Sequence, residues 1–189
     1  MKTPLMISVA GVRGIVGESL TPAVVSRFSA AFARSMPPGA IVVGRDARVS
    51  GPMVLDAVRS GVVAAGGIIL TASHNPAEWN ALKFLSDRGE FLGPAEGAAV
   101  RERFETDADL WCAWDGLGRV REEQGALEWH LERVLGLEYL DLAAIRARAL
   151  HVVVDGCASV GGIAVPALLE RLGARVVKLD CEPNGRFTR

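Results

Sequence analysis

The sequence predicts an α/β fold, and three observations predict it. Short apolar runs of strand length alternate with longer runs whose apolar residues recur at helical spacing. Polar loops that contain glycine or proline follow the apolar runs directly. The same alternation begins again from Leu150, after a stretch rich in charged residues. A chain of 189 residues allows one or two domains, and this second start favours two.

The first helix is predicted to begin at Thr21 as N-cap, with Pro22 as its first residue. Apolar residues at helical spacing continue to about Met36, and Pro37-Pro38-Gly39 ends the helix. Residues 41–43 are predicted to form a short buried strand. This part of the chain therefore predicts a helix followed at once by a strand.

Ser50 is predicted to cap a second helix, and residues 68–70 to form the next strand. Residues 41–70 would then make a strand-helix-strand crossover, which is right-handed and joins parallel strands. The loops after both strands would lie at the carboxyl edge of the sheet, the usual place of catalytic loops in such folds. The inner face of the second helix is predicted to carry Met53, Val54, Ala57, Val58, Gly61 and Val62.

Residues 82–85 and 90–92 are predicted to be strands of a hairpin whose turn is residues 86–89. A helix over residues 94–105 follows, and then an irregular connector over residues 106–125. A further helix is predicted at about residues 127–135.

From Leu150 a second α/β segment is predicted. It comprises a strand at 151–156, a glycine-rich loop at 160–162, a helix at 165–172 with Pro166 at its start, and a strand at 175–179. The Gly-x-Gly-x-x-Gly order of a dinucleotide site is missing, so we interpret the glycines as structural.

Composition excludes several classes of function. The formal net charge of −1 argues against nucleic acid or an anionic membrane as the main partner. Cys112, Cys157 and Cys181 are widely spaced and form no Cys-x-x-Cys, so neither a disulfide framework nor a zinc site is indicated. The longest apolar run, residues 61–70, is too short to span a bilayer. We expect a cytoplasmic enzyme from this composition.

The most informative stretch is residues 71–76, Thr-Ala-Ser-His-Asn-Pro, which follows a buried strand. The Asn-Pro pair enforces a turn, and successive N–H groups on such a turn can cradle a phosphate. Ser73 would present its hydroxyl there, and a serine needs an activating neighbour to act as a nucleophile. His74 and Lys83 are the nearby candidates. The alternative is an Asn-Pro turn with an incidental serine.

These residues resemble the phosphoserine loop of the α-D-phosphohexomutase superfamily, which includes phosphoglucomutase, phosphomannomutase and phosphoglucosamine mutase. Residues 11–17, Gly-Val-Arg-Gly-Ile-Val-Gly, resemble the family's amino-terminal motif. Residues 44–51 match its Gly-Arg-Asp-x-Arg-x-Ser-Gly loop, and residues 79–84 stand where the family has Tyr-Asn-Gly-x-Lys. Four motifs in the expected order make the resemblance specific. Ala81 departs from it by replacing glycine, and a left-handed backbone there would be strained.

The resemblance implies a three-layer α/β/α domain I with an internal deletion, followed by the start of a similar domain II. Between Gly66 and Gly67 the family inserts a further strand, turn and helix, and this unit is missing here. Its loss would uncover apolar surface that the family keeps covered. We predict domain I at residues 1–120, a linker helix region at 121–149 and an incomplete domain II at 150–189.

The resemblance also implies roles for individual residues. Ser73 would be the donor and acceptor of the phosphoryl group, with one oxygen of its phosphate bound to a metal. His74 and Lys83 would handle protons or stabilise charge. Arg48 is a weaker candidate, because it could simply form a surface ion pair with Asp46 or Asp56. The groups expected to hold phosphate are Arg13, Arg45, Asn75 and Arg48.

The implied reaction converts hexose 6-phosphate and hexose 1-phosphate into one another through a hexose 1,6-bisphosphate, with Mg²⁺ as cofactor. The family's Asp-x-Asp-x-Asp-Arg metal loop, its sugar loop and its last phosphate loop are missing from this chain. We therefore expect a truncated phosphohexomutase that is inactive alone, with a partner chain as one source of the missing loops. The alternative is a non-catalytic remnant or interaction fragment. The amino-terminal run resembles archaeal phosphoglucosamine mutases most, while Thr71 is also typical of phosphomannomutases and phosphoglucomutases.

Overall fold

The computed structural model describes residues 3–60, 65–116 and 118–187. The chain divides into two compact units, Met1–Val120 and Arg121–Arg189. None of the helices in the described ranges is long and apolar enough to cross a membrane. The finer domain boundaries proposed above, with their separate linker region, stay a prediction.

The first unit is a mixed five-stranded sheet covered by helices, which confirms the α/β class. In chain order the elements are β1 (Met6–Ser8), β2 (Gly11–Ile15), α1 (Pro22–Ser35), β3 (Ile41–Arg45), α2 (Gly51–Arg59), β4 (Gly66–Leu70), β5 (Trp79–Leu85) and α3 (Pro94–Thr106). The strand order is β1-β2-β5-β4-β3, with β3 and β4 parallel and the other neighbours antiparallel.

Helix α1 begins as its sequence predicts. The Thr21 hydroxyl accepts a hydrogen bond from the Val24 N–H at 3.3 Å, and Pro22 occupies the first turn, where no N–H partner is needed. Ser50 is the N-cap residue of α2, as predicted, but its side chain makes no capping hydrogen bond. Its hydroxyl instead accepts from Asn80 Nδ2 at 3.0 Å, a partner supplied by β5. Met53 is 36% exposed, and Gly61 and Val62 lie outside the described residues.

The pairing of β3 with β4 confirms that the strands of the predicted crossover are parallel. The hairpin after β5 is only partly as predicted. Its turn closes through the Ser86 N–H, which donates to the Glu90 carbonyl, but residues 90–92 make a single bridge at Phe91 rather than a strand. Strands β1 and β2 were not predicted: β1 is only three residues long, the glycines of β2 interrupt its apolar pattern, and the pairing of β2 with β5 depends on a distant segment.

The core lies between one face of the sheet and helices α1, α2 and α3. Phe32 stacks on Phe84 at 4.7 Å between ring centroids, and Phe28 stacks on Phe104 at 3.7 Å. On the edge strand β3, Val42 is 72% exposed. The exposed edge agrees with the expectation that loss of a strand and helix uncovers apolar surface.

Truncation of Phe32 to alanine should lower the free energy of unfolding by about 3–5 kcal/mol, because it removes a fully buried ring and leaves a cavity. Urea unfolding measures this change. Val42→Ala is the matched control on exposed surface and should change stability by less than about 0.5 kcal/mol. Equal unfolding midpoints for the two variants would contradict this assignment of the core.

The second unit contains α4 (Ala126–Leu135), α5 (Leu142–Ala147), β6 (His151–Asp155), α6 (Gly161–Arg171) and β7 (Arg175–Leu179). Strands β6 and β7 are parallel. Helix α6 begins at Gly161, so Pro166 lies inside it and not at its start as predicted. Gly162 is required there because an added Cβ would collide with the Cys181 backbone. Arg171 donates to Glu128 at 2.6 Å and lowers the pKa of that carboxyl.

Candidate active site

The loop after β4 presents Ser73 at the carboxyl edge of the sheet. Its backbone is anchored at both ends: the Thr71 N–H donates to the Ala81 carbonyl at 3.2 Å, and the Asn75 N–H donates to the Ala72 carbonyl at 3.1 Å. The Ser73 N–H donates to Thr71 Oγ1 at 3.1 Å. Within the described ranges the His74 N–H has no hydrogen-bond partner, so it can donate to an anion.

Ser73 itself has an unusual backbone conformation. Its φ angle is +57°, in the left-handed region that residues other than glycine, asparagine and aspartate seldom adopt. Such a conformation costs of the order of 1 kcal/mol and persists only where the surroundings hold it. The side chain is exposed to solvent, and its hydroxyl forms no hydrogen bond within the described part of the chain.

Arg48 lies beneath this loop and is 1% exposed. Its Nε donates to Asp46 Oδ2 at 3.1 Å. Its Nη1 donates to the carbonyls of Pro76 and Trp79 at 2.6 and 3.0 Å, and its Nη2 to those of Ser73 and Asn75 at 3.0 and 2.8 Å. A guanidinium has five N–H donors, and these bonds use them all. The predicted ion pair with Asp46 is present, but it is buried rather than at the surface. Phosphate binding by Arg48 stays a prediction, which these contacts do not favour.

Arg13 reaches the loop from β2. Its Nη1 donates to Asn75 Oδ1 at 3.5 Å, and the side chain is exposed. The contact exists because β2 pairs with β5, which places Arg13 opposite Ala81, and Ala81 in turn binds Thr71. The fold thus brings together two predicted phosphate ligands that are 62 residues apart in sequence.

Arg45 ends β3 at the same edge of the sheet as the loop after β4. Its Nη1 donates to the Asp46 carbonyl at 3.2 Å. An added Cβ on Gly51 would lie 3.3 Å from that nitrogen, so the guanidinium packs over the start of α2. Among the described residues Arg45 pairs with no carboxylate, which leaves its charge available to an anion.

Lys83 lies on β5 opposite Gly11 of β2 and Ile69 of β4. Because directly opposed residues in antiparallel strands share a face, and Arg13 opposes Ala81 two positions earlier, Lys83 and Arg13 are on the same face of the sheet. Within the described ranges neither Lys83 nor His74 forms an ion pair. The approach of the Lys83 ammonium to Ser73 stays a prediction.

The arrangement suits an anion and does not suit a metal. Arg13, Arg45 and Lys83 have no carboxylate partner among the described residues. Asp46, the carboxylate below the loop, binds Arg48 with both oxygens. No three His, Cys, Asp or Glu side chains in the described ranges group closely enough to hold an ion. The residues present therefore do not fit a Mg²⁺ site of their own.

Sequence reasoning named Arg48 and Asp46 but missed that they support the loop from below, and it assigned no role to Asn80. Asn80 is fully buried and joins β5 to Ser50 at the start of α2, while Arg48 binds the loop from below and is itself bound by Asp46. The signal available in the sequence was that Asp46, Arg48, Ser50 and Asn80 all lie within the motifs quoted above. Ala81 is buried in β5 and its φ angle is not positive, so its replacement of glycine causes no strain.

Two family models match this chain. The model described as phosphoglucomutase/phosphomannomutase, alpha/beta/alpha domain I, matches residues 6–67 and 62–110, and the corresponding domain II model matches residues 130–189. The two domain I stretches overlap at residues 62–67, where the internal deletion was predicted.

Curated relatives and solved structures agree with these models. A phosphoglucomutase/phosphomannomutase of Thermococcus kodakarensis is 33% identical over 209 residues, covering 94% of this chain and 45% of the relative. A phosphoglucosamine mutase of Acidothermus cellulolyticus is 32% identical over 218 residues, which cover 97% of this chain and 46% of the relative. The crystal structure of a phosphoglucomutase/phosphomannomutase family protein from Burkholderia thailandensis has a TM-score of 0.75 at 24% identity, covering 97% of this chain and 46% of that one.

The chain thus spans less than half the length of the curated relatives it matches. The family-model matches include the loop that carries Ser73 and the strands that surround it. The chain belongs to the phosphoglucomutase/phosphomannomutase family, and it contains domain I and the start of domain II.

Proposed function

We propose that this chain carries the phosphoserine site of a phosphohexomutase, with Ser73 as acceptor and donor of the phosphoryl group. The observation that carries the proposal is the loop after β4: an exposed serine in a left-handed conformation, held over a buried arginine, with Arg13 and Arg45 at the same edge of the sheet. An exposed hydroxyl beside cations that lack carboxylate partners favours phosphoryl transfer, which depends on positioning and charge stabilisation.

The reaction has two transfers. Phosphorylated Ser73 gives its phosphoryl group to a free hydroxyl of a hexose phosphate: an O–P bond to the sugar forms, the Oγ–P bond breaks, and the proton lost by the sugar hydroxyl is replaced by one delivered to the departing Ser73 Oγ. The resulting hexose 1,6-bisphosphate turns round and returns its other phosphoryl group to Ser73, whose proton goes to the leaving sugar oxygen. In this proposal His74 or Lys83 carries the protons, and Arg13, Arg45 and Asn75 hold the phosphate.

Mg²⁺ enters this proposal only through the family. It would offset charge on the transferring phosphate, with an oxygen of phosphorylated Ser73 as one ligand. The other ligands are not in the described part of this chain, so no step above passes through a metal. A partner chain that supplies the missing loops is part of the same proposal, and so is a cytoplasmic location.

The proposed substrate is a hexose phosphate, namely a phosphate of glucosamine, mannose or glucose. The curated relatives carry two kinds of name, phosphoglucomutase/phosphomannomutase and phosphoglucosamine mutase. This range of names supports the class of reaction more than any one sugar.

A second candidate function is that of a non-catalytic remnant. The lack of a metal-binding group in the described residues favours it. Such a fragment could accept phosphate on Ser73 or bind a partner without turning over substrate.

The proposed function is tested with a chimera that joins this chain to the part of the Thermococcus kodakarensis relative beyond its matched region. We expect the chimera to interconvert the 1- and 6-phosphates of at least one of glucosamine, mannose and glucose, and intact mass should show one phosphoryl group on the resting protein. A folded chimera without turnover on all three sugars, or with phosphate only on another residue, would support the remnant.

Lys83→Gln should slow phosphoryl transfer in this chimera by about a hundredfold, because a proton carrier or charge stabiliser contributes on this scale. Lys178→Gln is the matched control: Lys178 pairs with Glu170 in the second unit, and its loss should leave the rate unchanged. Rates come from rapid-quench analysis of phosphate on Ser73. Equal rates for the two variants would exclude Lys83 from the reaction.

A further inference from the structure

The buried guanidinium of Arg48 is the most heavily bonded side chain near the candidate site. Four of its five N–H donors bind main-chain carbonyls of one segment, residues 73–79, and the fifth binds Asp46. The Arg48 backbone N–H also donates to Asp46, at 3.0 Å. Since the Asp46 N–H donates to the Leu70 carbonyl at 3.0 Å, the assembly connects the ends of β3 and β4 to the loop.

Two of the four carbonyls flank the reactive position. Arg48 Nη2 binds the carbonyls of Ser73 and Asn75 with one nitrogen, which fixes the backbone on both sides of His74. Ser73 has a φ angle of +57°, which a serine leaves unless its neighbours hold it. The bond from Arg48 to the Ser73 carbonyl acts directly on this residue. With the carbonyls bound below, the Ser73 side chain stays on the solvent side of the loop.

We propose that Arg48 is a positioning residue for phosphoryl transfer at Ser73: its guanidinium holds the left-handed turn of the loop and thereby sets the direction of the Ser73 hydroxyl. The inference rests on the proposed function. Arg48 touches no reacting atom, because all its guanidinium donors are used by Asp46 and the four carbonyls. A lysine could not replace it, since an ammonium has three donors and no planar fork.

The experiment compares Arg48→Lys and Arg48→Ala with the wild-type 189-residue chain. Arg59→Lys is the matched control, because Arg59 is an exposed arginine that pairs only with Asp56 among the described residues. Amide NMR shifts of residues 71–79 report the loop, and the shifts of β2 and β5 report the rest of the sheet. The rate of Ser73 phosphorylation by glucose 1,6-bisphosphate is followed by intact mass in the chimera with the same substitutions, because the chimera supplies the loops that this chain lacks.

We expect both Arg48 variants to keep the sheet resonances and to lose the wild-type shifts of Ser73 and Asn75. Phosphorylation should slow at least about tenfold, because misplacing a reacting group is costly. Guanidinium or ethylguanidinium, added to Arg48→Ala well below denaturing concentrations, should restore the loop shifts and the rate, and methylammonium should restore neither. A general loss of stability would not respond to the shape of the added cation.

The wild-type chain gives a test that needs no variant. The Nη protons of Arg48 should exchange slowly with water and couple through hydrogen bonds to the carbonyl carbons of residues 73, 75, 76 and 79. Rapid exchange of these protons, or unchanged loop shifts and phosphorylation rate in a folded Arg48→Ala, would overturn the proposal. If the wild-type chimera takes up no phosphate, the proposed function fails, and the loop shifts with the guanidinium rescue still decide whether Arg48 sets the turn.

Discussion

Ser73→Ala will abolish both phosphate incorporation and turnover by the chimera, while the fold remains. The substitution removes the oxygen that would form the bond to phosphorus. Because the Ser73 hydroxyl is exposed and forms no hydrogen bond in the described residues, stability should change by less than about 0.5 kcal/mol. Intact mass and peptide mapping after incubation with glucose 1,6-bisphosphate measure the loss.

The chain offers a matched control for this prediction. Ser60 lies in the same tryptic peptide, which runs from residue 60 to residue 83, so one fragmentation experiment compares both serines. Ser60→Ala should retain full phosphorylation, because its hydroxyl binds the Ala57 carbonyl on α2 and lies away from the loop after β4. Phosphate on the Ser73→Ala variant in wild-type amount would remove the central claim.

Ser73→Gly tests the role of the hydroxyl separately from that of the left-handed backbone. Glycine adopts positive φ without penalty, so this variant should be as stable as wild type or more stable by about 1 kcal/mol, and still inactive. Thermal unfolding measures the stability of this variant, and the same mass assay measures its loss of phosphorylation. A loss of several kcal/mol in Ser73→Gly would show that the left-handed conformation is not the one the loop adopts.

The 189-residue chain alone will show no measurable phosphohexomutase turnover, even with Mg²⁺ and a hexose bisphosphate. Phosphoryl transfer of this kind needs a metal to offset charge on the phosphate, and the described residues contain no group that could hold one. The loops that would orient the sugar are also missing from the sequence. Each loss removes several kcal/mol of transition-state stabilisation, so activity should fall below detection.

A coupled assay on glucosamine, mannose and glucose phosphates measures this directly. The full-length Thermococcus kodakarensis relative, assayed in the same buffer, is the positive control. Conversion of any of these sugars by the purified chain, after mass spectrometry has excluded a host mutase, would show that the first domain suffices for catalysis.

Helices with local start signals could be predicted from the sequence. Thr21 and Pro22 mark the start of α1, because capping needs only neighbouring residues. The parallel pair β3 and β4 also followed from local pattern, since a strand-helix-strand run of this length has one common arrangement. Ser50 illustrates the limit: it stands where a cap is expected, but a distant amide, that of Asn80, takes its hydroxyl.

The sequence by itself determined the α/β class, the family and the position of Ser73 on a loop at the end of a buried strand. These features depend on residues close together in the chain, so short sequence motifs are enough to identify them. Only the tertiary structure decided that Arg48 is buried beneath that loop, that Ser73 is left-handed and that Arg13 contacts Asn75. Each of these depends on contacts between residues 25 to 62 positions apart, and whether a charged side chain binds carbonyls or faces water is settled by what packs around it.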